Sequence, residues 1–324
     1  MSTALRLAWL VFYIGSGTQP AVANEIAGRE LQIPVEIQTH ADGRMPVREL
    51  FESFLALRAA GWHLDVITTS QPAATSYELP IIALRSPQAG PAVWILSGIH
   101  GEEPAGPIAV ASAIDDLIKF GERHPVVLIP LCNPHGYARN WRYLNIPVYS
   151  KTIEGQSVGD SSHLLPDEEE PAISRAKSAS SPEADALTRY ILQKAENYPP
   201  LYSIDLHEDD LIQEGYVYSQ GELGAGDPLA IEAIRVLQEN GVPIKMNGQT
   251  RFGEEIVGGI IGPVIDSSID ELMSAAKIIV DGRSQTGPQA QTVLVFETPA
   301  KAMTLERRTT AHVSLIRRLI HIIR

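Results

Sequence analysis

The chain has 324 residues, 44% of them hydrophobic and 20% charged, an ordinary globular composition with length for one large domain and little left for a second. A formal charge of −13 and a pI near 5.2 argue against nucleic acid or an anionic membrane surface as the main partner, because most of the surface would repel either one. The single cysteine, Cys132, excludes an intrachain disulfide, and its place inside VVLIPLCNP makes it a small core residue.

The chain begins MSTALRLAWLVFYIGSGTQPAVANE, with Arg6 ahead of an apolar run from Leu7 to Ile14 and an A-x-A arrangement at Ala21 and Ala23. This pattern predicts a secretory signal peptide over residues 1–23, cleaved after Ala23, and a secreted or periplasmic location; the run is too short to span a bilayer. Residues 24–78 read as an N-terminal segment packed on the core. They predict a strand, a helix carrying Val47, Leu50, Phe51, Phe54, Leu55 and Leu57, and a second strand.

Strands and helices alternate over 79–324. Strands are predicted at LPIIALRS, AVWILSGI, PVVLIPLCN, LYSIDLH, YVYSQ and TVLVFETP, and helices over about 107–121, 183–196 and 228–240. This alternation predicts an α/β fold of three layers, α/β/α, around a mixed, mostly parallel central sheet. The polar, acidic stretch from Ile146 to Ala184 reads as a long loop. At the C-terminus Leu315, Ile316, Leu319, Ile320 and Ile323 mark one face of a docking helix, with Arg317, Arg318 and Arg324 near the end that the macrodipole favours for cations.

The reactive residues cluster at the polar ends of three apolar runs: His100 with Glu102 and Glu103 in SGIHGEEPAG, His207 in YSIDLHED, and Glu297 in VLVFETPA. A strand that ends at such residues delivers them to one edge of a sheet. Two imidazoles and a carboxylate can hold one zinc ion with a fourth position open for water, as a catalytic zinc site requires. Asp205, Glu208 or Asp209 could orient His207 through its other ring nitrogen. An ionised carboxylate at the end of the apolar strand of Glu297 is costly unless it faces a cation or a polar cleft, and a proton-accepting role toward water supplies the reason.

In their order, H-x-x-E at His100/Glu103, N-P-x-G at Asn133-Pro134-His135-Gly136 with Arg142 downstream, D-L-H at Asp205-Leu206-His207, and strand-ending Glu297, these motifs resemble the zinc carboxypeptidases of the carboxypeptidase A type. Murein peptide amidases and the aspartoacylase/succinylglutamate desuccinylase group are relatives of that family. The resemblance covers about residues 79–324 and implies a catalytic domain with one Zn2+ on His100, Glu103 and His207. It takes Glu103 rather than Glu102 as the ligand, makes Glu297 the general base and then acid, and gives Arg142 the developing oxyanion.

The chain departs from the carboxypeptidase pattern at two places. SVGDSSHLLP stands where an Asn-Arg pair binds the substrate's terminal carboxylate, and no tyrosine occurs between Tyr218 and Glu297. Arg139 and Arg251 are candidate substrate contacts in place of that pair, and Asp160 and His163 are candidates for reading a cationic substrate. The implied function is a zinc-dependent metallopeptidase, of carboxypeptidase or peptide amidase type, acting on peptides such as those of cell walls. The alternatives are a zinc-dependent deacylase of N-acyl amino acids on the same fold and a non-catalytic peptide-binding protein. The expected partner is a peptide or acylated amino acid, without nucleic acid or stable membrane insertion.

Overall fold

A computed structural model describes residues 31, 33–34, 37–70, 77–144, 173–175, 181–250, 252–280 and 283–323, and the contacts within Ile33–Arg324 define one unit. The predicted signal peptide lies outside the described residues. In the N-terminal segment, Val47, Leu50, Phe51, Phe54 and Leu57 are buried along one stripe of α1 (Val47–Ala59). The strand β1 (His63–Ser70) follows and pairs antiparallel with β2 (Leu79–Arg85), so this segment extends the sheet of the main domain.

Next come β3 (Ala92–Ser97), α2 (Ala105–Ser112), α3 (Ile114–Gly121), β4 (Val126–Ile129) and α4 (Pro134–Arg139). The helix predicted over 107–121 is two helices, because the backbone leaves helical geometry at Ala113, with φ −104° and ψ 13°. The stretch predicted as a loop from 146 to 184 contains β5 (Ile173–Arg175), and α5 (Pro182–Ala195) starts within it. Ser181 caps α5 by accepting from the Ala184 N–H at 3.1 Å, and Pro182 follows in the first turn, where its missing N–H costs nothing.

The chain continues through β6 (Pro200–Asp209), β7 (Tyr216–Ser219), α6 (Pro228–Glu239), β8 (Asn247–Gln249), β9 (Glu255–Val257), β10 (Ile260–Ile261) and α7 (Ile269–Ser274). It ends with β11 (Lys277–Val280), β12 (Arg283–Thr286), β13 (Thr292–Pro299) and α8 (Leu305–Ile322). α8 begins well before the predicted apolar stripe because Thr304 caps it, accepting from the Arg307 N–H.

Ten strands form the main sheet in the order β1-β2-β4-β3-β6-β13-β7-β10-β9-β8, while β12-β11-β5 forms a small second sheet. The centre of the main sheet, β4-β3-β6-β13, is parallel, and antiparallel pairs flank it on both sides. β3, β4 and β13 are buried throughout, which explains their unbroken apolar runs. Alternation along the strands sends Ile81, Ala83, Trp94, Leu96, Val127, Ile129 and Val293 into one core with α5 and α7. On the opposite face α2, α6 and α8 pack on β6 and β13, and Phe296 meets His312 of α8 edge to face at 5.1 Å. These are the three layers expected.

One polar tie spans the outer strands and a helix. Asp65 on β1 accepts from Arg85 Nε at 2.7 Å and from the Tyr190 hydroxyl of α5 at 2.8 Å, with Lys194 Nζ at 3.2 Å. Burial raises its pKa, but these donors and charges win and hold it below the ordinary 3.8. Its stabilisation is therefore complete above about pH 4 and is lost as the pH falls through the lower folded value. Asp65→Asn is expected to cost about 1–3 kcal/mol at pH 7, and the gap from wild type should narrow progressively in urea titrations as the pH falls below the ordinary carboxylate value.

Candidate metal centre

Two glycine turns meet behind the site. A Cβ on Gly101 would lie 2.0 Å from the Gly136 carbonyl carbon and 2.3 Å from the Trp141 oxygen, and one on Gly136 would lie 2.4 Å from the same oxygen. The turn after His100 and the N-P-H-G turn can approach this closely only as glycines. Asn133 fastens them together: its Oδ1 accepts from the Gly136 N–H at 2.8 Å to cap α4, and its Nδ2 donates to the Arg142 carbonyl at 3.1 Å.

Arg44, a residue the sequence did not mark, clips the same two turns from the N-terminal segment. Its buried guanidinium donates to the carbonyls of Gly101 at 2.8 Å and Tyr137 at 2.6 Å, and to Asn140 Oδ1 at 2.6 Å. The local partner of Arg44 is Asp42, two residues earlier, in an ion pair at 2.6 Å.

His100, Glu103 and His207 converge in front of these turns. Nδ1 of His100 is 2.6 Å from Glu103 Oε1, Nδ1 of His207 is 3.1 Å from Glu103 Oε2, and one ligand atom from each residue lies within 4.8 Å of the others. The residues are only 2–3% exposed, so the carboxylate needs a cation to remain ionised there. Burial alone would raise the Glu103 pKa, yet His100 and His207 hold it well below the ordinary range. Burial would likewise lower His207, but the carboxylates of Asp205 and Glu103 push it well above the usual imidazole value. Two Nδ1 atoms aimed at one carboxylate in a negative, enclosed site suit a divalent ion bound by nitrogen and oxygen, and zinc fits that donor set.

The pleat of β6 sorts the acids around His207. Asp205 and His207 share one face, and Asp205 Oδ2 lies 3.2 Å from His207 Nε2 at an angle short of a hydrogen bond. This contact turns Nδ1 toward the cluster. Glu208, on the other face, accepts from the Ala105 N–H at 2.7 Å and pairs with Arg308 of α8, while its own N–H donates to Glu103 Oε2 at 3.0 Å. The start of α2, strand β6 and the last helix are thus tied to the ligand carboxylate. Asp205, His207 and Asp270 make a second possible ligand group, but it shares His207 and lies behind it.

Glu297 pairs in register with His207 across parallel strands β13 and β6, which places the two side chains side by side. Burial pushes its pKa up to about 8, against the opposing pull of His207 and with help from Glu103 and Asp209. Its Oε2 is buried without a hydrogen-bond partner. On the other side of β13, Tyr216 stands directly opposite Glu297 and Tyr218 opposite Val295, so both rings share the face of Glu297. Their hydroxyls donate to Asp209 Oδ2 at 2.8 Å and Glu254 Oε2 at 3.2 Å. Tyrosines do reach this side of the site, on a strand that precedes the interval between Tyr218 and Glu297.

Arg142 is at the rim, one-third exposed, with Nη1 3.0 Å from both Glu102 Oε1 and Glu103 Oε1. Glu102, which the resemblance set aside as a ligand, is its ion-pair partner. Burial and the Glu103 charge raise the Glu102 pKa, while His100 and Arg142 draw it back. Arg139 is exposed at the end of α4. Asp160, His163 and Arg251 lie outside the described residues. Cys132 is fully buried, as its apolar context predicts, and burial pushes its thiol pKa well up.

No protein-family profile matches the chain. No curated protein matches it either. Solved structures do match in fold. Two proteins described as “putative metallopeptidase”, from Shewanella amazonensis and Shewanella baltica, are each 20% identical at TM-score 0.65, covering 86% of this chain and 93% and 91% of theirs. Bovine thrombin-activatable fibrinolysis inhibitor, solved with a tick carboxypeptidase inhibitor, is 13% identical at TM-score 0.53 over 86% of this chain and 97% of its own. The chain shares the fold of these proteins.

Proposed function

We propose that the chain is a zinc-dependent hydrolase of peptide or amide bonds, with His100, Glu103 and His207 as ligands, Glu297 as proton carrier and Arg142 as the cation for the developing oxyanion. The observation that carries this reading is the convergence of three buried ligands beside a buried, partnerless carboxylate oxygen at one edge of the parallel core. When bound, zinc supplies a Lewis acid that makes water a usable nucleophile near neutral pH. Glu297 Oε2 takes the proton of the attacking water and returns it to the leaving amine. The guanidinium of Arg142 meets the negative charge that grows on the carbonyl oxygen, which makes it worth more in the transition state than in the ground state.

Turnover of a panel holding peptides, cell-wall fragments and acylated amino acids tests the substrate class. Hydrolysis of peptide or amide members by zinc-loaded protein supports the peptidase reading, and hydrolysis confined to acylated amino acids would replace it with the deacylase. The proposed location outside the cytoplasm rests on residues 1–23. Among the described residues no helix is long and apolar enough to cross a membrane. Protein expressed from the full gene is expected to start at Asn24, and N-terminal sequencing that finds an intact Met1 in the cytoplasmic fraction would refute the export signal.

A further inference from the structure

The reaction proposed above uses Glu103 and leaves its neighbour Glu102 without a task. Oε1 of Glu102 and Oε1 of Glu103 each lie 3.0 Å from the same Arg142 nitrogen. Arg142 therefore carries a resident carboxylate in addition to the ligand it touches. Glu102 Oε2 is buried and has no hydrogen-bond partner, and its side chain is only 23% exposed, so solvent screens this charge weakly. Glu102 meets Arg142 at the rim of the cluster, where both side chains are partly exposed while Glu103 is buried.

The Glu102 carboxylate is thus a counter-charge on Arg142 over and above the one that Glu103 contributes to the ligand set. A substrate anion arriving beside Arg142 meets a cation already neutralised. The scissile carbonyl is common to both kinds of substrate and meets the same Arg142 in each, so a difference between them isolates the charge of the group after the scissile bond.

We propose that Glu102 is a specificity-determining residue: by occupying Arg142 with an internal carboxylate, it makes the site favour substrates with a neutral group after the scissile bond over those with a free carboxylate. The inference rests on the hydrolase reading given above. Removing the charge of Glu102 makes the surroundings of Arg142 more positive by one unit, and at short range in a partly buried site one unit charge changes anion binding by at least about tenfold.

The test uses zinc-loaded protein and peptide pairs identical except for a C-terminal acid or amide. In Glu102→Gln the ratio of kcat/KM, acid over amide, is expected to rise at least about tenfold with zinc content unchanged, and Glu102→Asp, which keeps the charge, should stay near the wild-type ratio. Glu102→Ala provides a second charge-removing variant if the glutamine form does not fold. A ratio in the charge-removed variants within about twofold of wild type, including the case where both rates fall together, overturns the proposal and makes Glu102 a mere support for Arg142. The same preference is read as Kd by calorimetry in a Glu297→Gln background with and without Glu102→Gln, which needs no turnover. A charge effect there with no hydrolysis by wild type would sustain the filter and sink the hydrolase reading.

Discussion

Glu297→Gln is expected to lower kcat by about 100-fold or more, the usual contribution of a general base, while leaving zinc content at the wild-type level. The same variant should be no less stable than wild type in thermal unfolding. Wild-type Glu297 keeps a carboxylate oxygen buried without a hydrogen-bond partner beside Glu103 and Asp209, an arrangement that costs free energy in the fold. A neutral, nearly isosteric amide keeps the shape and removes the charge that faces Glu103 and Asp209. Loss of turnover with unchanged or higher Tm separates a catalytic carboxylate from a structural one. A variant that unfolds early, or one that turns over normally, would assign Glu297 to the core and move proton transfer to another residue.

His207→Ala should weaken zinc binding by more than roughly 100-fold, because it removes a ligand, whereas Asp205→Asn should weaken it by about 10–100-fold, the range for an outer partner that only orients the imidazole. His100→Ala belongs with the first group. Competition with a chromophoric chelator reads both constants. Equal effects from His207→Ala and Asp205→Asn would mean that the ion sits deeper, in the group formed by Asp205, His207 and Asp270.

The residues that converge were legible in the sequence because they sit near or just past the ends of apolar strands, and strands of the parallel centre carry long buried runs such as AVWILS and TVLVFETP. Gly101 and Gly136 announced turns, although not that the two turns pack on each other. What stayed hidden depends on pairings between distant segments. Tyr216 and Tyr218 reach Glu297 only through the antiparallel register of β7 with β13, and sequence order alone placed them on the wrong side of the comparison. Arg44 reads as a surface residue of a polar turn, and its burial against Gly101 and Tyr137 comes from tertiary contact. β8 and β12 are three or four exposed residues each, too short and polar to show a period of two. The break at Ala113 was invisible for a related reason: the apolar residues on both sides of it continue without a marker that stops a helix.

Metal add-back tests the central claim most directly. Protein stripped with a chelator and dialysed is expected to be folded but inactive on its amide substrate, and titration with zinc should restore turnover in proportion, with the break at one ion per chain. Restoration that tracks occupancy, together with its loss in His100→Ala and His207→Ala, is the predicted result. Full activity in metal-free protein, or one tightly bound zinc that has no effect on turnover, would contradict a zinc hydrolase built on His100, Glu103 and His207.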